Sequence, residues 1–453
     1  MDLLQKCVLV VGTGISGIGA VELLETKNIK TLLYDGNKEV KEEYIRNKLP
    51  KDSKTQIIIG DIEEELLDQI DIAVLSPGVP TDLPFVEKMR KRNIVIWGEI
   101  ELAFYFEKGS VLAITGTNGK TTTTALLGEI MRNYHKNTFV VGNIGTPYTS
   151  TVLNTNQNSV TVAEVSSFQL ETIENFHPVA AAILNITPDH LNRHHTMENY
   201  QKAKEAIVRN QTFADTCVLN YDDHFTREFG KTIQSKVVYF SRLEKLQEGI
   251  YIDSGTIVFA NEKDLTPICR LDELQLLGGH NHENVMAVIA MSISYGVPIH
   301  IIQETVKRFQ GVEHRIEFVT ERNGVAYYND SKGTNPDAAI KGIQAMNRPT
   351  FLIGGGYDKD SQYDEWIQAF EGKVKWLVLL GATREKIAEA AKRQGFTNII
   401  FAECLKEAVE ICAKKAEKGD AVLLSPACAS WGMFKNYEER GRKFKEYVNE
   451  LKE

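Results

Sequence analysis

Ser110-Val111-Leu112-Ala113-Ile114-Thr115-Gly116-Thr117-Asn118-Gly119-Lys120-Thr121-Thr122 is an apolar run that breaks into a glycine-bearing loop and opens a helix-like stretch. A buried strand, a phosphate-binding turn and a helix start in that order mean an α/β fold. The two glycines let the main chain approach phosphate oxygens, and successive N–H groups at the helix start form an anion nest. Lys120 adds a full positive charge, and the Thr121 hydroxyl can reach Mg2+. At an effective dielectric near 20, a lysine about 4 Å from a phosphate charge contributes roughly 4 kcal/mol before desolvation. A helix terminus contributes about 0.3–2 kcal/mol, so Lys120 dominates. Ile114 stands where a full Walker A loop carries its first glycine, which makes the loop a variant of that motif. ATP is the expected ligand.

Working outward, three α/β units follow one another. The first, residues 1–98, opens with strand Cys7–Val11, the turn Gly12-Thr13-Gly14-Ile15-Ser16-Gly17, a helix, and strand Thr31–Tyr34 ending at Asp35. That is the dinucleotide fingerprint, with an acidic residue about 20 positions on. By itself it reports a tight turn near a phosphate. A nicotinamide cofactor and a uridine diphosphate sugar both satisfy it, the latter with Ser16 and Asp35 as polar contacts. A later strand, Ile72–Leu75, runs into Ser76-Pro77-Gly78-Val79-Pro80. The second unit, 99–311, carries the phosphate loop, strands Ser159–Val165 and Ala180–Asn185, and a helix from about His282 to Tyr295. The third, 312–453, alternates strands Val325–Tyr328, Thr350–Ile353, Trp376–Leu380 and Ala421–Leu424 with helical patterns. Its closing helix places Phe434, Tyr437, Phe444, Tyr447 and Leu451 on one face, although Gly441 weakens it. Strand–helix alternation predicts parallel sheets with sites at the carboxyl ends of strands.

At 453 residues with 43% apolar and 25% charged residues, the composition is that of a multidomain globular protein. A net charge of −9 argues against non-specific nucleic-acid or anionic-membrane binding, so phosphate sites must be local. The six cysteines show no metal-finger spacing and read as reduced thiols of a cytoplasmic protein. No signal-peptide or membrane-spanning pattern is expected.

Several constellations carry chemistry. Glu164 ends an apolar strand one unit after the phosphate loop, where a carboxylate holds Mg2+ together with Thr121, or else is a solvated strand end. Asp189-His190-Leu191-Asn192-Arg193-His194-His195 lacks the spacing of a zinc site, and His190 fits better as a loop histidine beside Mg-bound phosphates. From spacing alone Lys204 reads as a solvated helix lysine. Three polar loops, Asn329–Asn335, Gly354–Lys359 and Ser425–Trp431, follow strands and point to one crevice for a small anionic substrate.

Together these residues resemble the Mur ligases of peptidoglycan synthesis, along the whole chain. Gly116 to Thr122, Gly142-Asn143-Ile144-Gly145, Glu164, Asp189-His190, Gly279-His280-Asn281 with Asn284, His314-Arg315 and Asp330-Ser331-Lys332 match motifs of the wider ligase family. Ser166–Leu170 and Ser425–Trp431, continued by Phe434–Gly441, are similar to the D-glutamate-adding branch. The resemblance implies a three-domain fold: a Rossmann-like UDP-sugar domain, a central P-loop ATPase domain with a parallel sheet, and a mobile Rossmann-like C-terminal domain. It implies that Ser16, Asp35, Gly78, Asn143 and His190 contact UDP-N-acetylmuramoyl-L-alanine. Gly116, Thr117, Asn118, Gly119, Lys120, Thr121 and Thr122, with Asn281, Asn284, Arg315, Asp330 and Lys332, would hold ATP. Thr121 and Glu164 would hold one Mg2+, His190 and Lys204 a second, with Lys204 as its carbamate, an anionic oxygen ligand that a hard cation prefers. Lys120, Glu164, His190 and Lys204 form the expected catalytic set. Thr334, Lys359, Ser430, Trp431 and Tyr437 would hold D-glutamate. Three positions depart from the family pattern: Asn192 for aspartate, His195 for a small residue, Gly333 for alanine.

The implied reaction is ATP-dependent amide formation through an acyl phosphate, in a cytoplasmic monomer without nucleic-acid or membrane partners. A folylpolyglutamate-synthase-like ligase shares part of the motif set. An NAD-dependent dehydrogenase explains only the first fingerprint.

Overall fold

The computed structural model describes residues 2–143, 146–262 and 264–451. It divides into two compact units, Met1–Cys269 with Glu283–Thr305, and Arg270–His282 with Val306–Glu453. Helix Gly279–Ser294 replaces the expected 282–295, and its residues fall on both sides of that division.

The first unit holds two sheets. Strands β1 (Cys7–Val11), β2 (Lys30–Asp35), β3 (Gln56–Ile59), β4 (Ile72–Leu75) and β5 (Val95–Gly98) form a parallel sheet in the order β3-β2-β1-β4-β5. β1 is buried along its whole length, as a strand covered on both faces must be. Gly12 sits at φ +103°, and a Cβ on Gly17 would overlap the Gly12 carbonyl oxygen. The fingerprint glycines therefore serve the turn and the helix–strand contact.

The second sheet contains β6 (Ser110–Thr115), β7 (Thr138–Gly142), β8 (Val160–Glu164), β9 (Ala180–Ile183), β10 (Thr216–Asn220), β11 (Lys236–Ser241), β12 (Gly249–Asp253), β13 (Thr256–Ala260) and β14 (Leu265–Arg270). Its order is β14-β13-β12-β11-β10-β9-β6-β8-β7. β6 lies between β8 and β9, parallel to both, with Ile114 beside Glu164 and Thr115 beside Ile183. Its carboxyl end, and hence the phosphate loop, is flanked by the loops that follow its two neighbours. The expectation of parallel sheets needs one correction here: β12 and β13 pair antiparallel.

The second unit contains β15 (Glu317–Arg322), β16 (Val325–Asn329), β17 (Thr350–Gly354), β18 (Val374–Leu379), β19 (Ile399–Phe401) and β20 (Ala421–Leu424), in the order β15-β16-β20-β17-β18-β19. β15 is an antiparallel edge, and the other pairings are parallel. β16, β20 and β17 are neighbours, so the three polar loops that follow them emerge side by side. In the closing helix Tyr437–Glu450, Phe444 is buried, and Phe434, Tyr447 and Leu451 pack on the same cluster. Tyr437 leaves that face, its ring standing edge-on to His314 at 6.0 Å. Gly441 has a packing reason: a Cβ there would overlap His314 Nδ1.

Candidate active site

β6 delivers Gly116 at φ +150° and Gly119 at φ +86°, and the helix Lys120–Tyr134 starts immediately after. A Cβ on Gly119 would overlap Asn284 Oδ1, so the second glycine admits the side chain of a distant helix against the loop. Thr117 and Asn118 are tied to the segment after β9. The Thr117 N–H donates to Asn185 O (2.9 Å), its Oγ1 to Thr187 O (3.1 Å), and the Asn118 N–H to Asn185 Oδ1 (2.8 Å). Lys120 Nζ folds back to donate to Gly116 O (2.8 Å) and Thr117 O (3.0 Å). Thr122 is buried beneath the loop, whereas Thr121 is partly exposed at the helix start.

Glu164 is 2% exposed, which removes the solvated-strand-end reading. Its Oε1 accepts from Asn143 Nδ2 (3.0 Å), and its Oε2 is buried without a hydrogen-bond partner. Lys204 is 1% exposed and donates to Gly116 O at 2.8 Å, so the solvated-lysine reading is wrong. Tertiary packing places it under the phosphate loop. Burial first, and the Lys120 charge second, bring its ammonium down to about 7, with Asp189 pulling the other way. His190 is exposed at φ +52°, with Nε2 3.5 Å from Asp189 Oδ2. A cleft of about 180 Å3 gathers Lys120, Asp189, His190, Tyr200 and Lys204 with Gly78 and Asn143. Ile144 and Gly145 of the Gly142–Gly145 motif lie outside the described residues.

The fit of a hard divalent cation follows from this chemistry. Among the described residues no group of three or more His, Cys, Asp or Glu could hold a metal alone. Mg2+ does not need such a cage, because it keeps several waters and uses one or two carboxylates with substrate phosphates. The unpaired, buried Glu164 Oε2 beside a phosphate loop suits it.

In the first domain, Asp35 Oδ2 accepts from Thr13 Oγ1 (2.5 Å), and Oδ1 accepts the Asn37 N–H (3.0 Å). Ser16 is partly exposed on the first turn of the helix after β1. Ser16 and Asp35 are absent from the lining of the cleft that holds Gly78 and Asn143.

In the second unit, Asp330 is buried at the end of β16 and accepts from Ser425 Oγ at 2.7 Å. Burial pushes its carboxyl up to about 7 despite that bond and the charge of Arg315. Gly355 N–H donates to Pro426 O (2.8 Å), and Tyr357 bridges to Ala429, which joins the second and third loops. Arg440, which sequence reasoning missed, is buried and ties the first loop to the third. Its guanidinium donates to Ser331 Oγ (2.9 Å), Ser331 O (2.8 Å) and Cys428 O (3.0 Å). Lys359 Nζ lies 4.6 Å from the ring of Trp431, which is 53% exposed, and Lys332 Nζ lies 5.8 Å from the Tyr437 ring. Ser430 is buried, and the Thr334 N–H donates to Lys332 O (2.8 Å). Asn281 donates to Leu277 O at 2.7 Å. Gly333, one of the departures, has no spare room: a Cβ there would come within 2.8 Å of Asp330 Oδ2. His195 takes φ +65°, where a smaller residue is easier, and pairs with Asp82 at 3.1 Å. Asn192 lies in the short helix Leu191–His194.

Three domain families match in succession: Mur ligase MurD-like, N-terminal domain, over residues 6–98; Mur ligase middle domain over 114–292; and Mur ligase, glutamate ligase domain, over 314–428. The chain is 57% identical to UDP-N-acetylmuramoylalanine–D-glutamate ligase of Lachnoclostridium phytofermentans over 453 residues, covering 100% of both chains. The chain belongs to the Mur ligase family. The ligase of the same name from Lachnospira eligens is 56% identical and that from Clostridioides difficile 46%, each over 100% of both chains. Solved Mur ligases share the fold at low identity. UDP-N-acetylmuramate-alanine ligase from Thermotoga maritima aligns with a TM-score of 0.59 at 20% identity, over 98% of this chain and 99% of that one. The MurF ligase from the same organism, solved in complex with ADP, aligns with a TM-score of 0.55 at 16% identity, over 99% and 98%. This Mur ligase therefore has the three-domain α/β architecture, and its first glycine turn needs no nicotinamide.

Proposed function

We propose that this Mur ligase joins D-glutamate to UDP-N-acetylmuramoyl-L-alanine at the expense of ATP, releasing ADP and phosphate. The observation that carries the reading is the cleft beneath the phosphate loop, where Lys120, His190 and Lys204 face Gly78 and Asn143. The end-to-end similarity to D-glutamate ligases supports the choice of amino acid.

The chemical problem is a carboxylate, a poor electrophile. An oxygen of the L-alanyl carboxylate attacks the γ-phosphorus of ATP, the bond to the β-phosphate oxygen breaks, and an acyl phosphate forms. The D-glutamate amine then attacks the acyl carbon, loses a proton, and expels phosphate. Lys120 would leave its loop carbonyls for the phosphates. Gly116 to Thr122 would supply N–H donors, and Asn281, Asn284, Arg315, Asp330 and Lys332 the remaining ATP contacts. Mg2+ held by Thr121 and Glu164, with a second ion at His190 and Lys204, would neutralise charge gathered at phosphoryl transfer. Lys204 would act as its carbamate, which the neutral amine can form with carbon dioxide. Ser16, Asp35, Gly78, Asn143 and His190 would receive the UDP-muramoyl substrate. Thr334, Lys359, Ser430, Trp431 and Tyr437 would hold D-glutamate. Among the described residues no helix is long and apolar enough to cross a membrane. A cytoplasmic monomer divided at 98/99 and 311/312 completes the reading.

The test is phosphate release from ATP in the presence of UDP-N-acetylmuramoyl-L-alanine, with D- or L-glutamate added in turn. Release with D-glutamate alone, reduced at least about a hundredfold in Lys120→Ala, is expected for an interaction of a few kcal/mol. Release independent of the amino acid's configuration would defeat it.

A further inference from the structure

Arg193 is unused by that mechanism, and its surroundings give it a task. It is 12% exposed, and its guanidinium donates to Val79 O (3.0 Å) and to Glu171 Oε2 (2.8 Å). Val79 belongs to the first-domain turn after β4, next to Gly78. Glu171 closes the helix Ser167–Leu170 of the central domain. Glu171 Oε2 also accepts from Thr81 Oγ1 (3.1 Å), so the turn is held at two points by one ion pair. The Arg193 guanidinium lies 4.8 Å from the Phe168 ring centre, and that ring lies 5.0 Å from His190. Glu171 Oε1 reaches His194 Nδ1 (3.3 Å), whose Nε2 bonds Ser167 Oγ (2.9 Å). Gly78, Ser167, Phe168 and His190 all line the reaction cleft. Arg193 and Glu171, both of the central domain, thus stand behind the Phe168–His190 wall of that cleft and hold the first-domain turn that forms the facing wall.

We propose that the Arg193–Glu171 pair is a positioning clasp that sets the spacing between the Ser76–Thr81 turn and the Phe168–His190 wall, and through it the fit of the UDP-sugar substrate. This rests on the ligase reading above. A planar guanidinium suits the task, because it bonds a carbonyl and a carboxylate while stacking on a ring; a lysine makes only part of that set.

Arg193→Ala, Arg193→Lys and Glu171→Gln are compared with the parent in the full chain. In Arg193→Ala the KM for UDP-N-acetylmuramoyl-L-alanine rises at least about tenfold, equivalent to the loss of one charge-assisted hydrogen bond. The KM for ATP stays within about twofold, and Arg193→Lys and Glu171→Gln fall between. Hydrogen exchange, read without substrates, speeds up in residues 76–82 of Arg193→Ala and is unchanged in the phosphate loop. An unchanged KM for the UDP sugar overturns the proposal, whatever the exchange shows. So does a parallel rise of every KM with a lowered melting temperature, which would make the pair merely structural. Absence of ligase turnover in the parent would refute the activity instead, and unchanged exchange at 76–82 would then refute the clasp on its own.

Discussion

Lys120 and Lys204 donate to one acceptor, the carbonyl of Gly116, so two amines share a buried corner that cannot hold both charges cheaply. Lys204 gives way, and at neutral pH a large share of it is a free amine able to add carbon dioxide. Turnover is therefore expected to fall in buffer stripped of carbon dioxide and to return with bicarbonate, while Lys204→Arg stays inactive in both. A carbon-dioxide-independent rate would remove the carbamate. Glu99 is a second residue caught by burial. Its Oε1 accepts from Gln169 Nε2 (2.9 Å), its Oε2 has no partner, and burial pushes its carboxyl up to about 7. A raised carboxyl pKa means that the folded chain binds more protons than the unfolded one between about 4.5 and about 7. Its stabilising contribution is full below that window and is lost as pH rises through it, about 3 kcal/mol at most. Urea unfolding across that range should show Glu99→Gln flattening the decline; an unaltered slope would assign it to other groups.

At the scale of elements, the strand Ser110–Thr115 and its loop are legible in the sequence because an apolar run must be buried and a glycine pair must turn. β12 and β13 escape that reading although they carry a signal: Ser254 and Gly255, both at positive φ, make the two-residue turn of a hairpin. The helix Met197–Glu205 reads as solvated from Glu198, Lys202 and Glu205; spacing and charge do not pick out Lys204, which the family resemblance names and packing against the phosphate loop explains. Arg193, Glu171 and Arg440 are illegible for the same reason, since their partners lie in distant segments. Gly441 shows the two levels in conflict. Alanine is favoured by about 1 kcal/mol inside a helix, yet here its Cβ would overlap His314 Nδ1, which bonds Asn329 Nδ2 at 2.9 Å. Gly441→Ala should therefore destabilise by about 1–3 kcal/mol, as overpacking does, seen as a lower melting temperature. A gain in stability would mean that His314 moves aside freely.

For the whole molecule, the division into two units, with separate buried clusters in the second, predicts unfolding that is not a single transition. Calorimetry should resolve two, with Gly441→Ala lowering one and Glu99→Gln at neutral pH shifting the other. One transition displaced by both variants would show the units to be a single cooperative body. The topology of the second unit also has a consequence for how such enzymes can be recombined. Its three polar loops are neighbours because β16, β20 and β17 are neighbours, but they are drawn from residues about 329, 425 and 354 of the chain. Asp330 needs Ser425, and Ser331 needs Arg440. A chimera that exchanges one loop with another ligase breaks those bonds, whereas a crossover pair outside 329 and 441 carries them across intact. The geometry of these three loops is thus inherited as a block of more than a hundred residues, not as a cassette.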